Sequence, residues 1–590
     1  MSSPTETKVT PQVTPPSPDH EKAEVAQLEK VSTHENPPGK GRYTEEDGLR
    51  TEGDGVYHQN TPMTTKRKMA LVAQAFLWTG SQIPVYLFGG IPPYIYGDLG
   101  GTDRWVWFVL ANLLSLAGIC PFVGSMSDLL GRRYVALMGA SFIVLGMIIC
   151  STAKDMNVFI AGMVFAGVGA GINELTALAA TSELAPTSKR GIYVGALIFT
   201  IVPFCPSVLW GQLIAYYSSW RYVGLFCALW AFIGLVLTAV FYFPPPRSNS
   251  DGLSQSEVLK RIDYVGGLTS ISGMILFMAG MQWGGYQYPW SSAHVIVPLV
   301  LGAALLVVFV VWEAKFAPYP MFPRRLNQAP SILIWTLVIT FVSGANFFSI
   351  LMFWPVQAFN VYGHDPVQVG IRGLPVAFGI MSGAVIVLVL LSVFRGQNKT
   401  LMVVSSVLMT AGCGAIAVAD IDNMAQLWGI LVLAGLGIGG IVVPASIITT
   451  IICPDDLIAT VAALTLSIRV IGGSIGYCVY FNVFVSKFTP ASIKYIGQVL
   501  EQANVTSMET LVEAVTLTSG SLIDRIADLP GIAGNQALYE AVVKAGQIAY
   551  AESYKYVYYS SIAFGAVSIV AALFLGDISK FMDDHVAVVM

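Results

Sequence analysis

The feature that most constrains this chain is a recurring block of about 20 apolar residues. That length crosses a hydrocarbon core of about 30 Å as a helix rising 1.5 Å per residue. In lipid, each backbone N–H and C=O must be satisfied within its own segment, so such blocks can only be helices. Composition agrees: of 590 residues, 54% are hydrophobic and only 12% charged, against about 25% charged in a soluble domain. Mean hydropathy is +0.65. The expected class is therefore an all-α, multi-pass membrane protein.

Apolar runs and polar breaks place spans near 70–93, 104–126, 134–153, 157–181, 191–215, 221–243, 264–283, 294–312, 331–354, 367–392, 401–419, 425–450, 459–486 and 559–576, fourteen in all. Short loops rich in Lys and Arg stay on the cytoplasmic side. Lys66, Arg67 and Lys68 precede the first span, and Arg132, Arg133, Lys189, Arg190, Arg247, Lys260, Arg261, Lys315, Arg324, Arg325, Arg395 and Lys399 fall in every second loop. The acidic loop "CPDDL" after the twelfth span is an exception. This pattern puts both termini in the cytoplasm.

Residues 1–68 are rich in Pro, Glu, Lys, Thr and Gly and too poor in apolar residues to bury a core. They are expected to be a disordered cytoplasmic tail, as 577–590 are a short cytoplasmic end. The segment 487–558 is expected to be an extracytoplasmic loop. It holds the sequon Asn504-Val505-Thr506, whose Asn504 is a candidate glycan acceptor. Asn398-Lys399-Thr400 falls on the cytoplasmic side, where it should stay bare.

Several functions are excluded. The net charge of −4 is spread along the chain and leaves no nucleic-acid footprint. The seven cysteines lie in or beside apolar segments with no C-x-x-C pair, and the six histidines lie outside them. No metal or cofactor site is expected, nor an enzyme. No G-x-x-x-x-G-K-[ST] loop offers an ATP site.

"GSMSDLLGRR" after the second span carries Gly124, Asp128, Gly131, Arg132 and Arg133. It resembles the G-x-x-x-D-x-x-G-R-R signature of the major facilitator superfamily. "ELTALAATSELAPTSKRGIYVG", "SSWRYVGLFCALW", "IATVAALTLSIRVIGGSIGYCVYFNVF" and "SIAFGAVSIVAALFLGDISKFMDDHVA" look like the fungal trichothecene efflux pump family, a fourteen-span branch neighbouring siderophore-iron transporters. The resemblance implies two six-helix bundles with a central cavity and alternating access. The bundles would be 69–245 and 326–576, joined by a linker at 246–325 with two inserted helices. It also implies proton drive and a gating cluster of the signature residues with Glu183 and Arg190.

The drug-antiport motifs of the superfamily are degraded here. Met163 stands where the fourth span would carry Arg, and the fifth span has Pro203 and Pro206 without paired glycines. Glu174 lies eleven residues after Met163, about three turns on and so on the same face. An ionisable residue within a span normally faces a cavity or a partner. Glu174 is thus a candidate for proton coupling or for binding a substrate cation; the alternative is a structural carboxylate paired within its own bundle. Arg469, near the midplane of the thirteenth span, is a candidate anion site or counter-charge. Gln82, Asn112, Asn173, Gln212, Asn346 and Gln357 either line the cavity or join helices. Trp220 near a span end reads as an interface anchor.

The expected function is proton-coupled export of a fungal secondary metabolite or toxin by a monomer acting on a small amphipathic solute. The membrane would be the plasma membrane, or alternatively that of a vacuole or vesicle. The competing readings are uptake of a ferric siderophore and nutrient sensing.

Overall fold

The computed structural model describes residues 65–184, 190–244, 260, 262–285, 287–321, 329–394, 396–453 and 457–579. Of the tail expected at 1–68, residues 65–68 are helical and 1–64 lie outside the described residues, as do the acidic 454–456, residues 580–590 of the expected end at 577–590, and the side chains of Asp128, Glu183 and Arg190.

The described chain is helical almost throughout. In the first half α1 is Thr65–Gly89, α2 Pro92–Leu99, α3 Val106–Ile119, α4 Val123–Leu130, α5 Arg132–Thr152, α6 Met156–Leu184, α7 Arg190–Phe199, α8 Ser207–Tyr217 and α9 Arg221–Phe241. The inserted pair is α10, Tyr264–Trp283, and α11, Ala293–Val311. In the second half α12 is Pro330–Tyr362, α13 Pro366–Val393, α14 Asn398–Ala415, α15 Met424–Ile451, α16 Ile458–Gln502, α17 Met508–Ser519 and α18 Gln536–Leu573. Among the described residues twelve helices are long and apolar enough to cross a membrane. The first two expected spans fall on α1, studded with Gln74, Thr79, Ser81 and Gln82, and on the shorter apolar stretch Val106–Phe122.

The halves repeat one pairing scheme. In each, the fourth span packs on the first, second and third, and the sixth on the first and third: α6 on α1, α3 and α5, and α9 on α1 and α5. The counterparts are α15 on α12, α13 and α14, and α18 on α12 and α14. The halves meet reciprocally, second span to fifth: α3 packs on α16, and α13 on α8. Inserted α10 lies over the first of these seams, where Cys478 Sγ donates to its Gln282 Oε1 (3.3 Å) and Asn482 Nδ2 to the Met281 carbonyl (2.8 Å).

Prolines stand at two breaks, while Pro84, Pro298, Pro355, Pro375, Pro444 and Pro490 lie inside continuous helices. After α1, Pro92 starts a new helix and Ile91 takes a non-helical conformation. The fifth span of the first half is split by Pro203 and Pro206 into α7, a 3₁₀ turn and α8.

The loop expected at 487–558 is a correction. Helix α16 runs on to Gln502, α17 follows, and α18 begins at Gln536, so most of the segment is helical. Sequence polarity misleads here because amphipathic helices need only one apolar stripe to pack. Ile496, Leu500, Ala514, Ile526, Leu529, Ile532, Leu538, Val542 and Ala545 form their own small core. This helical cap marks one end of the molecule, the cap face. The end carrying Arg132 and Arg133 is the basic face.

Trp220 is also corrected. It is buried, and its Nε1 donates to Asp98 Oδ2 (3.1 Å), which also pairs with Arg221. That cluster ties α2 to the start of α9.

Candidate functional site

The two ionisable residues singled out within spans meet across the halves. Arg469 Nη2 of α16 stands 3.7 Å from Glu174 Oε1 of α6, with side chains 14% and 11% exposed. The charged partner of Glu174 thus belongs to the second half, while Gln82 of its own half also reaches it. About ten residues separate each from the basic-face end of its helix, so the pair sits roughly 15 Å below that face.

Packing fixes Arg469. Helix α12 approaches α16 so closely that a Cβ on Gly344 would strike the Arg469 backbone, one on Gly472 the Phe341 carbonyl and one on Gly476 Ala345. Arg469 Nη1 donates to the Val442 carbonyl of α15 (3.2 Å), two residues before Pro444 within that continuous helix. Two residues earlier, Ser467 Oγ donates to the Ala117 carbonyl of α3 (3.3 Å), a second polar tie between halves.

On the other side Gln82 of α1 interacts with Glu174. Tyr86 donates to Gln82 Oε1 (3.0 Å), Gln82 Nε2 to Ser81 Oγ (3.2 Å), and Ser81 Oγ to the Trp78 carbonyl (2.6 Å). The Tyr86 ring meets Phe347 of α12 edge-on at 6.4 Å, again across the halves.

The energetics place this pair near balance. Unit charges about 4 Å apart attract by about 4 kcal/mol at an effective dielectric near 20. Desolvation costs several kcal/mol per ion and offsets much of that gain. A contact so poised responds to a small change, such as one added proton.

The other polar candidates sort differently. Asn112 Nδ2 donates to the Met163 carbonyl (3.2 Å), and Gln212 Nε2 to the Gly90 carbonyl (2.8 Å). Asn173, with its amide turned, bridges Ala136 and Ala140 of α5. Asn346 Oδ1 accepts from Tyr480 (2.6 Å), and Gln357 Oε1 from Tyr558 (2.5 Å). These five serve as ties between packed segments; Gln82 alone of the six reaches the charged pair. Gly131 ends α4 with φ +82°, a conformation glycine favours. Arg133 donates to the Ala239 carbonyl (2.7 Å) and lies 3.9 Å over Phe243, so it braces its own half rather than joining the two. Gly124 lies in the first turn of α4, and Arg132 opens α5 directly after Gly131.

Tyr86, Phe347 and Ser467 were not singled out in the sequence. The i, i+4 spacing of Gln82 and Tyr86 was the one available signal.

The fungal trichothecene efflux pump (TRI12) family matches residues 82–590. The chain is 25% identical over 506 residues to the trichothecene efflux pump TRI12 of Fusarium sporotrichioides, covering 84% of this chain and 83% of that protein. It is 29% identical over 391 residues to the MFS-type transporter gkaD of Penicillium citrinum, covering 65% and 66%. It is 27% identical over 466 residues to the MFS-type efflux transporter ffsH of Aspergillus flavipes, covering 78% of each. Among solved structures, a bacterial homolog of the human lysosomal transporter Spinster, inward-facing and occupied, matches with TM-score 0.51 at 17% identity over 88% of this chain and 97% of that one. That likeness is one of fold. With a family match over most of its length, repeated six-helix halves and an inserted pair, the chain is a transporter rather than an enzyme, and it belongs to the fungal trichothecene efflux pump family of the major facilitator superfamily.

Proposed function

We propose that the chain exports an uncharged, amphipathic fungal secondary metabolite in exchange for protons. The observation that carries this reading is the Glu174–Arg469 contact between α6 and α16. Opening a passage between the halves separates the two charges, and a proton on Glu174 removes the attraction that resists separation. Each half-cycle then has a protonated, parted state and an ionised, joined state. A solute without net charge leaves the pair balanced, and the aromatic rings of Tyr86 and Phe347 offer it apolar contact.

The fourteen-span path, with bundles at 69–245 and 326–576, both termini in the cytoplasm and a plasma-membrane address, is part of the same proposal. Signature residues Gly124, Asp128, Gly131 and Arg132, with Glu183 and Arg190, act at the basic-face gate, where α4 touches α16. Asn504 is the glycan acceptor: it is exposed, at φ +59°, beyond the end of α16. Asn398 is buried and spent, donating to the Gly576 carbonyl (2.8 Å) and accepting from Ile578 N (3.3 Å).

The test is expression in a toxin-sensitive yeast lacking its own exporters and siderophore carriers. Wild type should lower cell-associated trichothecene and raise resistance, and Glu174→Gln at equal surface level should do neither. Iron-dependent growth rescue without toxin resistance would instead mark siderophore uptake.

A further inference from the structure

Proton exchange at Glu174 needs a way in, and among the described residues of α1 and α6 the buried polar atoms without a partner lie on one side of that residue only. The register of these antiparallel helices is set at the basic face, where Arg67 Nε donates to the Leu184 carbonyl (2.7 Å) and Ala70 packs with Ala180. It is set again where Gln82 meets Glu174. Between these points lie Gln74 and Trp78 on α1, about two turns and one turn before Gln82, and Thr181 on α6, about two turns after Glu174. Gln74 is 0%, Thr181 2% and Trp78 8% exposed. Both amide atoms of Gln74, the Thr181 hydroxyl and the Trp78 indole N–H have no protein partner. Beyond Glu174 toward the cap face, the same side of α6 presents Ala170, Ala166 and Met163, all buried and apolar.

Buried polar atoms left without protein partners are the usual seats of ordered water. We infer that Gln74, Trp78 and Thr181 hold a file of water between α1 and α6 that carries protons between the basic face and Glu174. The inference rests on the coupling role proposed above for Glu174. A proton leaving the file adds to the Glu174 carboxylate to give the neutral acid, and the reverse step returns it, with no other bond changed. The ionisable groups around the carboxylate are Arg469, Tyr86 and Cys120, and Arg67 stands at the mouth.

The experiment is infrared difference spectroscopy of the full-length protein in lipid after a rapid pH jump, with water as the only probe. A carboxyl C=O band missing in Glu174→Gln reports the site. Gln74→Met and Thr181→Val, separately and together, should slow the appearance of that band tenfold or more while leaving its final size unchanged. Thr79→Val, whose hydroxyl meets that of Thr200 just past the end of α7 (2.8 Å), should leave the rate as in wild type. A wild-type rate in both single variants and the double variant would overturn the water file while sparing the coupling role. A spectrum in which Glu174→Gln loses no band would overturn the coupling role, and the file with it.

Discussion

The fifth spans of the two halves occupy equivalent places in the pairing scheme and are built in opposite ways. In the first half Pro203 and Pro206 break the span into α7 and α8. In the second half α16 runs unbroken for 45 residues, carries Arg469 and Ser467, packs tightly on α12 and continues into the cap. One span is jointed and the other is a lever. The repeated fold therefore fixes where helices lie, while the local sequence decides which of them is broken and which runs unbroken from the charged pair to the cap face.

The largest effect should come from the lever's charge. Arg469→Met leaves Glu174 buried without its counter-charge, a loss of about 3–5 kcal/mol. Thermal unfolding in detergent should show it, and export should fail. Adding Glu174→Met removes the orphan, so stability should return while export stays lost.

The next contrast concerns small residues. Gly472→Val should cost about 1–3 kcal/mol by forcing α12 from α16, because its Cβ would strike the Phe341 backbone. Its counterpart test is Gly195→Ala in α7, where a Cβ meets nothing within 4 Å. That change should be neutral or stabilising by about 0.5–1 kcal/mol. Equal costs at both sites would erase the distinction between the two spans.

Joining α7 to α8 tests the joint itself. Pro203→Ala with Pro206→Ala should leave unfolding temperature within a few degrees and slow export severalfold; unchanged export would mean the break is incidental.

The smallest effect is expected at the cap face. Burial lowers the pKa of His364, between α12 and α13, from 6.5 to about 4, and its ring stacks on Phe359 at 3.9 Å, which in turn meets Tyr94 of the first half at 6.1 Å. Because the folded form resists the proton, stability should be constant above about pH 6.5 and decline as pH falls from there toward 4. His364→Phe should flatten that slope in pH-dependent melting curves.

Sequence made the membrane helices legible because lipid demands continuous apolar runs, and those runs sit where the helices lie. It failed at 487–558, where amphipathic helices look like a polar loop. Glu174 and Arg469 were each visible as costly charges at depth. Their pairing was not, since the face of α6 says nothing about which distant helix meets it. Asn346 and Gln357 looked equally suited to a cavity or to joining helices, and their tyrosine partners, Tyr480 and Tyr558, could not be read from the sequence.

The central claim is that the ionised Glu174–Arg469 pair holds the halves together and that neutral Glu174 releases them. The direct measurement is a pulsed spin-label distance between Tyr134 and Val393, exposed at the basic face on α5 of one half and α13 of the other. In lipid nanodiscs at neutral pH, Glu174→Gln should gain a second, longer distance that wild type shows only on acidification. Identical distance distributions in wild type and Glu174→Gln at both pH values would contradict the account.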